Sequence, residues 1–87
     1  MKNILVVDDN EIILEVLSDL LSDDYFVITA SDGSQVEKLM QEYKFSIIIL
    51  DLVMPNKEGL ETLQEVKKYQ PDAKTIVISG KIYASGF

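Results

Sequence analysis

Three aspartates could form a site for a divalent cation, because each stands at the end of a short apolar run. Asp8 and Asp9 follow the run Ile4 to Val7, and Asp51 follows the run Ile47 to Leu50. Such runs are typical of strands buried on both faces of a parallel sheet. If the two strands are neighbours, the three carboxylates converge at the edge where open α/β sheets bind ligands.

Three carboxylates a few ångströms apart cannot all stay ionised without a cation, since like charges raise each other's pKa. A hard divalent ion relieves this repulsion. Magnesium is the natural candidate, because it accepts a few carboxylate ligands and keeps several waters. The sequence therefore predicts a Mg²⁺ site formed by Asp8, Asp9 and Asp51.

The composition narrows the remaining chemistry. The 87 residues contain no Cys and no His, which excludes thiolate sites and the commonest general base. Acidic residues outnumber basic ones by 15 to 8, so we expect no nucleic-acid or membrane-surface partner. No apolar stretch reaches the about 20 residues that a membrane span needs, and the first apolar run is too short for a signal peptide. A cytoplasmic protein is expected.

The elements that position the aspartates follow from the apolar pattern. Strands are predicted at residues 4–7, 25–30, 45–50 and 75–78, and helices at 10–21, 34–43 and 58–69. This alternation predicts an α/β fold, a doubly wound parallel sheet with helices on both faces.

Simpler roles for the same residues stay open. An acid between a strand and a helix is often only a helix cap, and either Asp9 or Asn10 could cap the first helix. Capping explains Asp51 less well, because Pro55 delays the next helix. Ser79, which follows the fourth strand, could be an ordinary turn hydroxyl.

Three segments in order resemble the receiver domain of two-component response regulators. They are Leu5 to Asn10, Ile49 to Pro55 with Gly59, and Ile76 to Gly80; the segment Ala30 to Gly33 is also similar. The resemblance implies a flavodoxin-like sheet with strand order 2-1-3-4. It implies a domain over residues 1–80 and a tail of unassigned conformation over residues 81–87.

The resemblance also implies roles for individual residues. Asp51 would accept a phosphoryl group, and Asp9 would be a direct Mg²⁺ ligand with Asp8 beside it. The Val53 backbone carbonyl would be a further metal ligand. Ser79 would hydrogen-bond a phosphoryl oxygen as the switch residue. The donor would be a sensor histidine kinase, a phosphotransfer protein or a small acyl phosphate.

The family pattern continues past the fourth strand, so we expect a truncated domain that lacks the fifth strand and the last helices. The family's strand-five Lys would then be missing and the switch impaired. Lys81 could replace that Lys, and Tyr83 or Phe87 could replace the aromatic switch residue, but exposed tail positions are the simpler interpretation. An open strand-four edge or a bared sheet face would favour a homo-oligomer.

Two other functions compete with phosphoacceptance. The chain could be an assembly module or a fragment that keeps the acidic pocket as a relic. It could instead be a metal-dependent phosphatase with an aspartate nucleophile. That class needs a second Asp two residues after the nucleophile, where this chain has Val53. Otherwise the chain is expected not to be an enzyme.

Overall fold

The computed structural model describes residues 1–52 and 59–78, and four strands within these ranges form one parallel sheet. The strand order is β2-β1-β3-β4, as predicted. The strands are β1 (Lys2–Val7), β2 (Tyr25–Ala30), β3 (Ile47–Asp51) and β4 (Lys74–Ile78). Residue Val7 pairs with Ala30 on one side and with Leu50 on the other, so the carboxyl ends of the three strands lie level.

Three helices connect the strands and cover both faces of the sheet. They are α1 (Glu11–Leu21), α2 (Val36–Glu42) and α3 (Gly59–Tyr69). The helices α2 and α3 pack on the face formed by the alternate strand residues Leu5, Val7, Ile48 and Leu50, which belong to one buried cluster with Val36, Met40 and Val66. The opposite face carries Ile4 and Val6, and α1 contacts β1 and β2.

The second helix begins later than predicted. Residues Gly33–Gln35 form a 3₁₀ turn, and the α-helix starts at Val36 rather than Ser34. The reason is local hydrogen bonding: the Asp32 carboxylate accepts from the backbone N–H of Ser34 at 2.8 Å. The Gln35 side chain meanwhile accepts from the backbone N–H of Ser31 at 3.0 Å. These side-chain bonds hold the first turn in a tighter form.

The third strand also begins later than predicted, at Ile47 rather than Phe45. The backbone N–H of Phe45 donates to the side chain of Gln70 at 2.8 Å, so it is not available to a strand ladder.

No helix among residues 1–52 and 59–78 is long and apolar enough to cross a membrane.

Candidate functional site

The topology brings together the three aspartates that the sequence singles out. Strands β1 and β3 are parallel neighbours, and Asp8 follows the first while Asp51 ends the second. One carboxylate oxygen from each of Asp8, Asp9 and Asp51 lies within 4.8 Å of the others. The three carboxylates are thus close enough to bind one ion, as the sequence predicts.

Local hydrogen bonds explain how Asp8 is oriented. Its backbone N–H donates to the Ala30 carbonyl at 3.0 Å, which extends the pairing of β1 and β2 by one residue. Its carboxylate accepts from the backbone N–H of Asn10 at 2.9 Å. The Asp8 side chain is therefore held against the turn that leads into α1.

The cap of α1 is Asn10 rather than Asp9. The Asn10 side chain accepts from the backbone N–H groups of Ile12 and Ile13, at 2.9 and 3.3 Å. The capping role that stayed open for Asp9 is thus filled by its neighbour, and the Asp9 carboxylate lies in the acidic cluster instead.

Burial divides the cluster into two enclosed carboxylates and one open one. Asp51 is 3% exposed and Asp8 is 7% exposed, whereas Asp9 is exposed. Burying ionised carboxylates is costly unless a partner offsets the charge. A cation bound among them would meet one accessible carboxylate at the surface and two beneath it.

The electrostatics of the pocket favour a cation. Burial raises the pKa of the Asp8 carboxyl above its usual value, and the neighbouring charges of Asp51 and Asp9 raise that pKa further. The hydrogen bond from the backbone N–H of Asn10 opposes the rise. A bound divalent ion would reverse this balance, because its charge stabilises the ionised carboxylates. The donors are all carboxylate oxygens, which suit a hard ion such as Mg²⁺.

The backbone beside Asp51 is held from two directions. The N–H of Leu52 donates to the carbonyl of Ile78 in β4 at 3.0 Å, and the carbonyl of Leu52 accepts from the N–H of Gly59 at 3.1 Å. Sequence reasoning did not assign Leu52 or Gly59 a part in the site. Both residues belong to the second segment that resembles the family, and that resemblance is the only sign of them in the sequence.

Several predicted site residues lie outside the described residues. They are the Val53 carbonyl, the Ser79 hydroxyl, and the substitutes considered in the tail, Lys81, Tyr83 and Phe87.

Comparison with known proteins decides the family. Residues 4–85 match the family described as the response regulator receiver domain. The chain belongs to this family. The receiver domain is a phosphoacceptor module of two-component signalling, and the alternative of a pure assembly module is not favoured by its relatives. The predicted flavodoxin-like fold with strand order 2-1-3-4 is confirmed.

A curated relative is the response regulator RR06 of Streptococcus pneumoniae. It is 41% identical to this receiver over 78 residues, which are 88% of this chain and 36% of RR06. The chain thus spans about a third of the length of that relative.

Two solved structures show what receivers of this shape bind. A response regulator from Burkholderia pseudomallei contains a phosphorylated aspartic acid, a calcium ion and citrate. It has a TM-score of 0.86 and 34% identity, covering 98% of this chain and 51% of its own. TrrA from Thermotoga maritima is in complex with Mg²⁺-BeF; it has a TM-score of 0.84 and 36% identity, covering 99% and 76% respectively.

Proposed function

We propose that this receiver domain accepts a phosphoryl group on Asp51 with the help of a Mg²⁺ ion. The observation that carries the proposal is the convergence of three carboxylate oxygens within 4.8 Å at the carboxyl edge of the sheet. Asp51 is the candidate nucleophile, since it ends the central strand β3 and the backbone of the next residue, Leu52, is bonded to both β4 and Gly59. Asp8 and Asp9 follow the neighbouring strand and supply the other metal-binding carboxylates.

The chemistry at Asp51 is a nucleophilic displacement at phosphorus. A carboxylate oxygen forms a bond to phosphorus while the bond from phosphorus to the donor's imidazole nitrogen or acyl oxygen breaks. The leaving group takes the electron pair, and an imidazole also takes a proton from water. Bound Mg²⁺ would neutralise the charge on the transferring oxygens.

The residues of this chain contribute orientation and selective ionisation. Because the Asp51 side chain is buried, water has limited access to the nucleophile. The hydrogen bond from Asn10 to Asp8 fixes one metal-binding carboxylate, so less ordering is needed when the ion binds. The Val53 carbonyl as a metal ligand and the Ser79 hydroxyl as a phosphoryl contact complete the proposed site.

The proposed phosphoryl donor is a sensor histidine kinase or a phosphotransfer protein. We also propose a cytoplasmic location, because such donors and acyl phosphates are made there. We keep the receiver boundaries at residues 1–80, with residues 81–87 as a separate tail.

Self-association is also proposed, and exposed apolar residues support it. Ile76 and Val77 of β4 are 45% and 43% exposed, and among the described strands β4 pairs only with β3. Ile12 and Leu20 of α1 are more exposed still, at 70% and 69%. Light scattering coupled to size-exclusion chromatography should show a species larger than a monomer at micromolar concentration. A stable monomer would contradict this part of the proposal.

The test of the site is the binding of Mg²⁺ and a beryllofluoride mimic of the phosphoryl group. Amide NMR spectra of the wild type should show saturable shifts at residues 8–9 and 51–52 with Mg²⁺, and further shifts with beryllofluoride. Asp51→Asn should lose the beryllofluoride response, and Asp9→Ala should weaken the Mg²⁺ response. Identical titrations for the wild type and Asp9→Ala would remove Asp9 from the metal site.

A further inference from the structure

The residue after the candidate phosphoacceptor has no free backbone group. The N–H of Leu52 donates to Ile78 of β4, and its carbonyl accepts from Gly59 at the start of α3. The first bond ties this residue to the sheet and the second ties it to a helix. The position of Asp51 therefore depends on both attachments, since its backbone is covalently joined to Leu52.

Gly59 approaches Leu52 more closely than any other residue type could. A methyl group built on Gly59 overlaps the Cα and the carbonyl oxygen of Leu52 and lies 2.6 Å from its carbonyl carbon. Ordinary contacts between carbon atoms are about 3.5–4.0 Å. All three obstructing atoms belong to the main chain, so a change of rotamer at Leu52 cannot make room. A side chain at position 59 requires Leu52 or the start of α3 to move.

We propose that Gly59 is a positioning residue for the Asp51 carboxylate and acts through the backbone of Leu52. The inference rests on the proposed function of Asp51, and it adds a requirement that lies outside the acidic cluster. A side chain at position 59 displaces Leu52, weakens its bond to Ile78 or to residue 59, and shifts Asp51 relative to Asp8. The carboxylates then no longer match the geometry that Mg²⁺ demands.

Helix propensity predicts the opposite outcome, which makes the variant Gly59→Ala informative. Alanine is the best helix former and glycine is among the poorest. If position 59 served only α3, Gly59→Ala would stabilise the protein and leave ion binding unchanged. If close approach to Leu52 is required, the variant loses affinity for Mg²⁺ although its helix is intrinsically better.

The experiment compares the wild type, Gly59→Ala and the control Leu60→Ala. Leu60 is the next residue of α3 and is 62% exposed, so Leu60→Ala changes the helix start by removing a side chain that mostly faces solvent. Calorimetric titration with Mg²⁺, at a temperature where circular dichroism shows every variant folded, gives the affinities. We expect Gly59→Ala to lose about tenfold or more in Mg²⁺ affinity, the size of effect seen when support around a metal ligand is removed. Leu60→Ala should bind as the wild type does.

Amide hydrogen exchange without metal separates positioning from general destabilisation. In Gly59→Ala the amides of Leu52 and residue 59 should lose protection, while Leu5 and Val6 in β1 keep theirs. A uniform loss across the sheet, or wild-type exchange at Leu52 with wild-type Mg²⁺ affinity, overturns the proposal. The double variant with Leu52→Ala should not recover, because the obstructing atoms are main-chain atoms.

The two proposals can fail separately. If the wild type binds neither Mg²⁺ nor beryllofluoride, the function assigned to Asp51 fails, whereas exchange at Leu52 still reports on the backbone bonds of Leu52 to Ile78 and Gly59. If Gly59→Ala does not fold, exchange in the wild type decides the question. If the amides of Leu52 and Gly59 are protected as well as those of β3, the proposed role of Gly59 is supported. If they exchange as fast as amides of an unfolded chain, it is refuted.

Discussion

Replacing Asp8 with Asn should stabilise the metal-free receiver while abolishing its stabilisation by Mg²⁺. Asp8 is 7% exposed, and its carboxylate lies within 4.8 Å of that of Asp51. At that separation two unit charges repel by about 3.5 kcal/mol for an effective dielectric constant of about 20. Asparagine keeps the shape of the side chain and an oxygen that can accept from the backbone N–H of Asn10.

The net gain is smaller than the full repulsion, because Asp8 in the wild type can relieve it by binding a proton. We expect Asp8→Asn to raise the free energy of unfolding in EDTA by about 2 kcal/mol near neutral pH. For a domain of this size that is a rise in Tm of about 8–16 °C. Saturating Mg²⁺ should raise the Tm of the wild type, since an ion that binds only the folded state stabilises it. It should leave Asp8→Asn nearly unchanged.

The difference in stability between Asp8→Asn and the wild type should also depend on pH, in a direction that the pKa of Asp8 fixes. Because burial and the charges of Asp51 and Asp9 raise the pKa of Asp8 in the folded state, the folded state binds its proton more tightly than the unfolded state does. The contribution of Asp8 to stability is therefore complete below the ordinary pKa of 3.8 and is lost as the pH rises through the folded pKa. The gap between Asp8→Asn and the wild type should close in acid and widen toward neutral pH.

Thermal unfolding followed by circular dichroism, in EDTA and in Mg²⁺ across this pH range, measures both effects. Asp23→Asn is the matched control, because Asp23 is an exposed acid in the turn after α1 and is not part of the cluster. An Asp8→Asn variant that is less stable than the wild type in EDTA at neutral pH would refute the electrostatic reasoning. So would an equal response of both proteins to Mg²⁺.

Three further substitutions test the scaffold, each by urea unfolding against the wild type. Gln70→Ala should lose about 2–3 kcal/mol, because the Gln70 side chain makes three bonds of 2.6–3.0 Å to backbone groups of residues 40–45; a loss below about 0.5 kcal/mol would mean that these bonds contribute little. Asn10→Ala should lose about 1 kcal/mol with the cap of α1, and an unchanged midpoint would contradict the capping role. Thr75→Val should gain up to about 1 kcal/mol, since the Thr75 hydroxyl is buried and has no hydrogen-bond partner among the described residues, and a loss would contradict this.

The sequence carried most of the information about the sheet and the acidic cluster. The run Ile47 to Leu50 is apolar throughout: Ile48 and Leu50 are buried in the cluster with α2 and α3, and Ile47 and Ile49 are half-buried on the opposite face. Asp8 and Asp51 stand out for the same reason, since each interrupts an apolar run at the sheet edge. The strand order that makes β1 and β3 neighbours depends on contacts between segments far apart in the chain. The apolar pattern does not give this order; the family resemblance implied it.

The features that the sequence did not reveal depend on contacts between distant segments. Gln70 has the pattern of an ordinary polar residue just after α3, yet its side chain binds backbone groups of α2 and of the segment that joins α2 to β3. Gly59 is required by the close approach of Leu52, which no pattern within α3 predicts. The apolar pattern also does not distinguish Asn10 from Asp9 as the cap of α1. In the structure Asn10 is the cap, and the Asp9 carboxylate lies in the acidic cluster.

The most direct test of the account is whether Asp51 takes up phosphate. The wild type and Asp51→Asn are incubated with acetyl phosphate and Mg²⁺, and intact-mass spectrometry followed by peptide mapping locates any modification. We predict that the wild type gains the mass of one phosphoryl group at Asp51, that EDTA prevents the gain, and that Asp51→Asn does not gain it. Absence of modification in a wild type that binds Mg²⁺, or equal modification of Asp51→Asn, would contradict the assignment of Asp51 as the phosphoacceptor.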